Sequence, residues 1–328
     1  MGRHHILHRR AFVAGALAAG ALPAAAQARY PDKPIRFVIP FPPGGPTDII
    51  GRMMAEKLAA DLGQQVIPDN RAGAAGAIGA TEVARARPDG YTLLLGTSST
   101  QAINPTTMVN PTYDALKDFS YVGLIGVNPA VLAAHPSMPD TLKGMIELMR
   151  ANPGKYSYGS SGQGGITHLA SELFKQMAGG LNVVHVPYRG SGPALQDVLA
   201  GNLAWMFETI STTLPQHRSG KLRILGIALA KRTAAAPDIP TIAEAGVPGF
   251  EAYTFNIVAA PGGTPRPIID TLHAAHARIM ADRAFVEKLE QLAVVPIVDS
   301  TPESAAAFVK QEIDKWAPVV KSTGTRIE

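Results

Sequence analysis

The sequence predicts an α/β protein with largely parallel sheets and about two domains. Three observations carry this. Short apolar runs alternate with helix-patterned stretches along the chain. A strand, a Gly-rich loop and an amphipathic helix follow one another once in each half. Finally, 328 residues, 46% of them hydrophobic, suffice to bury a large core.

In chain order, the apolar runs that read as strands are Arg36–Pro40, Thr92–Gly96, Val122–Val127, Val131–Ala134, Tyr156–Gly159, Val183–Val186, Ala204–Glu208, Ile224–Ala228 and Phe255–Ala260. Between them, Ile50, Met54, Leu58 and Leu62 recur at helical spacing, and so do Leu169, Leu173 and Met177. The first helix, Ile49 to Leu62, closes at Gly63, and the second, Leu169 to Ala178, closes at Gly179-Gly180.

The loops ahead of these two helices are "PFPPGGPTD" (Pro40 to Asp48) and "GSSGQGGITH" (Gly159 to His168). Glycines let backbone approach a ligand, prolines hold the loop's φ angles, and the free N–H groups of the following helix attract anions. Two such junctions facing one another form a cleft at the carboxyl ends of strands, where open α/β sheets bind ligands.

Residues 1–28 read as an export signal rather than part of the fold. Arg3, Arg9 and Arg10 form a basic start, Ala11 to Leu22 is apolar, and Ala26-Gln27-Ala28 fits a cleavage site. Arg9-Arg10 followed by Ala11-Phe12-Val13 also suits a twin-arginine signal. The apolar run is shorter than a membrane span, and a chain with no Cys has no lipid-attachment cysteine. The expected location is periplasmic, with no stable membrane insertion.

Of 30 Lys and Arg, three fall in this segment, leaving 27 against 26 acidic residues. A near-neutral mature chain gives no electrostatic reason to bind nucleic acid. Zero Cys also excludes disulfides, thiol catalysis and thiolate metal sites.

Enzyme motifs are missing. "GSSGQGG" is not G-x-S-x-G, "GQGGIT" and "GAAGAIG" fail the dinucleotide fingerprint, and there is no G-x-x-x-x-G-K-[ST]. A serine hydrolase built on Ser161 and His168 would need a third group and an oxyanion hole that spacing does not supply. No cofactor and no metal is called for.

Six ordered blocks carry a family resemblance: "YPDKPIRFVIPFPPGGPTDIIGR", "NRAGAAGAIGA" with "PDGYTLLLGTSSTQAINP", "KDFSYVGLIG", "YGSSGQGGITHLASELF", "VPYRGSGPALQDVLAGN" and "TIAEAGVPGFE". Over nearly all of the mature chain the sequence resembles the extracytoplasmic receptors of tripartite tricarboxylate transporters, the Bug family. The resemblance implies a type II periplasmic-binding-protein fold with two chain crossings and a ligand cleft between domains. Domain 1 would combine 29–127 with 250–328, and domain 2 would be 128–249. It further implies a monomer that captures a small carboxylate for a two-component membrane carrier. A receptor presenting its closed form to a membrane signalling protein is the alternative.

Carried over residue by residue, the first loop would supply Phe41, Gly44, Gly45, Thr47 and Asp48, joined by Thr97, Ser98 and Ser99. The second domain would answer with Ser161, Gly162, Gly165, Thr167 and His168, and Tyr188, Arg189 and Glu208 would line the floor. Family members often carry Asp where this chain has Glu208, so the contact at that position is open. Asp48 could instead serve its helix dipole, Arg189 could be a solvated charge, and His168 could face water or a neighbouring loop. Phe41, Tyr188 and Phe207 offer aromatic surface, which keeps an aromatic or aliphatic monocarboxylate beside a tricarboxylate as the ligand.

Overall fold

The computed structural model describes residues 30–328 except 234, 325, 327 and 328. The proposed export signal lies outside the described residues. Among those described, no helix is long and apolar enough to cross a membrane.

The elements follow in order as β1 (Ile35–Ile39), α1 (Pro46–Leu62), β2 (Val66–Asn70), α2 (Ala77–Ala84) and β3 (Thr92–Thr97). A π-helical turn, Ser99–Ile103, and the short α3 (Asn104–Thr107) precede the long β4 (Phe119–Ala134). The middle of the chain holds α4 (Leu142–Ala151), β5 (Ser157–Ser160), α5 (Ile166–Met177), β6 (Val184–Pro187) and α6 (Ser191–Leu199). Then come β7 (Trp205–Thr209), α7 (Ile210–Arg218), β8 (Arg223–Ile227) and β9 (Tyr253–Pro261). The chain ends with α8 (Arg266–Ala281), α9 (Arg283–Gln291), β10 (Val295–Pro296) and α10 (Pro302–Thr323).

One ten-stranded sheet runs through the molecule in the order β2-β1-β3-β9-β4-β7-β5-β6, with β8 and β10 also on β4. Its two ends are parallel, as predicted: β1 lies parallel to β2 and β3, and β5 parallel to β6 and β7. The middle is antiparallel, because β9 pairs β3 and β4, and β4 pairs β7 and β8, in opposite directions. The expectation of a largely parallel sheet holds for each lobe's outer strands and fails for the two that link the lobes.

β4 fuses the two predicted runs Val122–Val127 and Val131–Ala134. Up to Pro129 it pairs with β9; from Ala130 it pairs with β7, and from Val131 also with β8. Pro129 has no N–H to give, and it stands where the strand exchanges one partner for the next. The chain returns beside this point: Ala252 N donates to Ala228 O at 2.9 Å, and Ala130 N donates to Ala252 O at 3.1 Å.

Each lobe packs helices on its sheet. In α1, Ile50, Met54 and Leu58 are buried against Ile35, Phe37, Ile39 and Leu95, while Leu62 is only partly covered. Gly51 allows this approach, since a Cβ there would meet Ile39 and Leu95 side-chain carbons at 2.8 and 2.9 Å. In α5 the buried stripe is Leu169, Ala170 and Phe174, set against Trp205 and Phe207. Leu173 is only partly buried and Met177 is exposed, so the predicted spacing found the helix but not its inner face. Helix α10 lies over β4, the π turn and α5, and so braces both lobes.

Candidate functional site

Four helices begin at one cleft between the lobes. Its wall includes Gly45, Pro46 and Thr47 at the start of α1, and Ile166 and Thr167 at the start of α5. It also includes Ser191 and Gly192 at the start of α6, and Thr209, the N-cap of α7. None of the four N-cap residues, Gly45, Gly165, Gly190 and Thr209, caps its helix with a side chain. The helices that are capped by a side chain, α4 by Thr141, α9 by Asp282 and α10 by Thr301, contribute nothing to the cleft wall. First-turn N–H groups have no partner within their own helix, so this wall presents backbone donors and the positive ends of four dipoles.

Hydroxyls complete the lining: Thr47, Thr97, Ser99, Ser161, Thr167, Ser191, Thr209 and Thr254. Phe41, Pro42, Pro43, Ala130 and Ala170 supply apolar surface. Glu208 is the one ionisable side chain among the described lining residues, and no Lys, Arg or His is among them.

Of the sixteen residues expected at the site, eight line this cleft: Phe41, Gly45, Thr47, Thr97, Ser99, Ser161, Thr167 and Glu208. Gly162, Tyr188 and Arg189 line a neighbouring pocket together with the Gly73–Gly76 turn. The Tyr188 hydroxyl donates to Asp197, which turns its polar end toward α6.

The other five serve the frame. Asp48 accepts from Gly44 N at 2.9 Å, from Asn70 Nδ2 at 2.8 Å and from Arg52 Nε at 3.0 Å, so its carboxylate holds the first loop shut on itself. Burial would push its carboxyl up, but the bonds from Arg52, Gly44 and Asn70 hold it below the usual carboxylate range. Gly44, at φ 83°, makes the turn that puts its N–H on Asp48. The Ser98 hydroxyl faces β9, donating to Tyr253 O at 3.3 Å and accepting from Phe255 N at 3.0 Å. Gly165 N donates to Gly162 O, closing the second loop. His168 accepts from Gly164 N at 3.0 Å and stacks on His185, with ring centroids 4.0 Å apart. Burial pushes the His168 imidazole down to about 4, which keeps it neutral.

The three aromatics offered for the ligand are placed differently. Phe207 stacks on Phe250 inside the second lobe, and of the three aromatics only Phe41 reaches the cleft.

Sequence reasoning missed Ser191, Thr209 and Thr254. The signal for Ser191 was present: "YRGSGP", Tyr188 to Pro193, is a third Gly/Pro stretch between strand and helix, and it runs into the first turn of α6. Thr254 had none, because it enters the cleft only through the pairing of β9 with β4 at Asn128.

Glu208 sits 1% exposed at the end of β7. Its Oε1 accepts from Thr209 N and Thr209 Oγ1, both at 2.9 Å, and from Thr212 Oγ1 at 3.4 Å. Its Oε2 is buried without a well-formed hydrogen bond, although the Ser191 hydroxyl lies near enough to favour the charged carboxylate. Burial pushes the carboxyl up, against the bonding of the nearby hydroxyls and the Thr209 N–H.

Comparison with known proteins now bears on this cleft. Residues 50–325 match the family described as tripartite tricarboxylate transporter family receptor. The chain belongs to this receptor family. Among its relatives is protein BugT of Bordetella pertussis, 38% identical over 301 residues, with 91% of this chain and 92% of BugT covered. Two solved structures share the fold. An R. palustris protein solved with adipate has a TM-score of 0.86 at 34% identity, covering 90% of this chain and 99% of that one. MatC from Rhodopseudomonas palustris with bound malate has a TM-score of 0.84 at 32% identity, covering 89% and 100%. The Bug-family receptors are thus its kin in both sequence and fold, and the two-domain binding-protein architecture expected from the sequence is the one observed.

Proposed function

We propose that this Bug-family chain is a periplasmic solute-binding receptor that closes its cleft on a small carboxylate and delivers it to a tripartite tricarboxylate transporter. In this reading residues 1–28 direct export and are removed. One lobe comprises 29–127 with 250–328 and the other 128–249, so that both chain crossings lie at the back of the cleft.

A single observation carries the proposal: four helix N-termini whose N-cap residues supply no side-chain cap, and eight hydroxyl-bearing residues, surround one cleft. A carboxylate held by several backbone N–H and hydroxyl donors needs no Lys or Arg, because each bond to the charged oxygens is charge-assisted. That two related structures hold adipate and malate supports the same chemical class here. Affinity then comes from excluding water as the lobes meet over a largely preformed site.

The test is thermal unfolding of Arg29 to Glu328 against mono-, di- and tricarboxylates and amino acids. A true ligand at 100 times its dissociation constant adds about 2.7 kcal/mol, a rise of several degrees for a chain of this size. The shift should vanish in the Thr47→Ala, Ser161→Ala double variant. A shift produced only by non-carboxylates would sink the reading.

A further inference from the structure

In the closed cleft of this chain, we infer that Glu208 is a protonated carboxyl whose Oε2–H donates a hydrogen bond to a carboxylate oxygen of the ligand, so that the anion enters together with one proton. The inference rests on the carboxylate reading above and adds the group that selects the ligand.

The geometry separates the two oxygens of Glu208. Oε1 is occupied as an acceptor by Thr209 N, Thr209 Oγ1 and Thr212 Oγ1. A proton on Oε1 would have to compete with those donors. Oε2 is buried, makes no hydrogen bond of good geometry and belongs to a residue of the cleft wall, where the Ser191 hydroxyl is the protein group near enough to act on the carboxyl beside Thr209 and Thr212. A proton therefore resides on Oε2, where the neutral Ser191 hydroxyl is the weak acceptor at hand and a ligand carboxylate the stronger, charge-assisted one.

Charge points the same way. A ligand carboxylate beside an ionised Glu208 would bury two negative charges with no cation among the described lining residues. Taking one proton from water onto Oε2 removes one of those charges and turns the repulsion into a short charge-assisted O–H···O⁻ bond.

Charged groups on the surrounding elements are engaged elsewhere. On α5, Glu172 is bonded to Tyr158 and Lys175, and His168 to Gly164 N. On α6, Asp197 takes the Tyr188 hydroxyl and Asn202 Nδ2. On α7, His217 accepts from Ile224 N and Arg218 donates to Ala235 O. The facing end of β4, Ala130 to Ala134, carries no ionisable group. Arg189 lines the neighbouring pocket, and Asp48 is sealed behind the first loop. The burial that raises the Glu208 carboxyl is thus not offset by a nearby cation.

An ammonium on the ligand is the competing partner for Oε2. It fits less well, because the positive ends of α6 and α7 flank the same corner of the cleft and disfavour a second positive charge there.

The experiment measures adipate and malate affinity between about pH 5 and 9, with aspartate as the ammonium-bearing control, and records infrared difference spectra of the complexes. Wild type should bind the dicarboxylates with an affinity that declines on the alkaline side, approaching tenfold per pH unit, and its complex should show the carbonyl stretch of a protonated carboxyl. Glu208→Ala should cost at least tenfold. Glu208→Gln keeps a donor at one position and an acceptor at the other; it should recover most of that loss, flatten the pH profile and remove the infrared band. A complex without the band, or a Glu208→Gln variant as weak as Glu208→Ala, overturns the inference. Aspartate binding that needs an ionised Glu208 overturns it in favour of the ammonium. If no carboxylate binds at any pH, the carboxylate reading itself falls and takes the inference with it, whereas binding without a protonated Glu208 defeats only the inference.

Discussion

The Ser99 hydroxyl of the first lobe accepts a 3.0 Å hydrogen bond from the Ile166 N–H of the second, joining the π turn after β3 to the first residue of α5. Both residues line the cleft. Under the closing-cleft reading proposed above, this bond forms when the lobes meet and favours the closed form, and it consumes one of the α5 N–H groups that would otherwise face the ligand or water. Ser99→Ala should remove about 1 kcal/mol from closure, or roughly a fivefold loss of affinity. Ligand-free thermal stability should hardly change. Solution scattering at saturating ligand should show a more open average in the variant; an unchanged affinity and profile would mean that the bond is incidental to closure.

Asp48 predicts a loss of stability with a pH signature. Asp48 is 3% exposed, and its carboxylate satisfies Gly44 N, Asn70 and Arg52. Asp48→Ala leaves these donors without their acceptor and should cost about 2–3 kcal/mol, although the half-exposed Arg52 contributes the smaller part. Because the folded carboxyl is held low, its contribution is present above the unfolded pKa, about 3.9, and is lost as pH falls through the folded value. The stability gap between wild type and Asp48→Ala should therefore narrow in acid, as calorimetry at successive pH values would reveal.

What the sequence made legible was local. The loops at Pro40–Asp48 and Gly159–His168 could be read because Gly and Pro declare a loop's purpose within a few residues, and both do open onto the cleft. β2 could not be read: Val66–Asn70 carries Pro68, Asp69 and Asn70, and it forms a strand because it lies at the sheet's edge beside β1. The duties of Asp48 and His168 were equally hidden, since they depend on Asn70 and His185, partners that the fold brings in from other strands. Glu208 was legible as an oddity of type, but its divided oxygens depend on Thr209 and Thr212 being turned by the start of α7.

His276 sets an acid limit for the first lobe. It is 1% exposed on α8, with neither ring nitrogen in a well-formed hydrogen bond and the Leu124 backbone its weak polar neighbour, and it fills the space above Gly123, where a Cβ would meet its ring at 2.7 Å. Burial, aided by the nearby His273, pushes its imidazole down to about 4. Between that value and its unfolded pKa the unfolded chain binds more protons, so stability present above pH of about 6.5 is lost as pH falls toward 4, by about 3 kcal/mol in total. His276→Leu should flatten this limb, and the variant should melt higher than wild type near pH 5 relative to their difference at pH 8. An identical pH dependence in the two proteins would show that the ring is protonated or solvated in the folded state.

Gly190 faces Pro42 in the pocket beside the cleft, and under the closing-cleft reading this contact predicts how tightly the lobes close. Gly190 has φ 132° and ψ 167°, a conformation that L side chains rarely adopt, and a Cβ there would meet Pro42 Cγ at 2.9 Å. Gly190→Ala therefore does two separable things. Backbone strain, about 1–3 kcal/mol, acts in open and closed forms alike and lowers the melting temperature of the ligand-free chain. The clash with Pro42 acts only when the lobes meet, so it appears as lost affinity. Pairing the change with Pro42→Ala, which removes the ring carbon in the way, should restore part of the affinity while leaving the melting temperature low. If the double variant binds no better than Gly190→Ala alone, the strain in the 188–190 turn, rather than the contact with Pro42, limits binding.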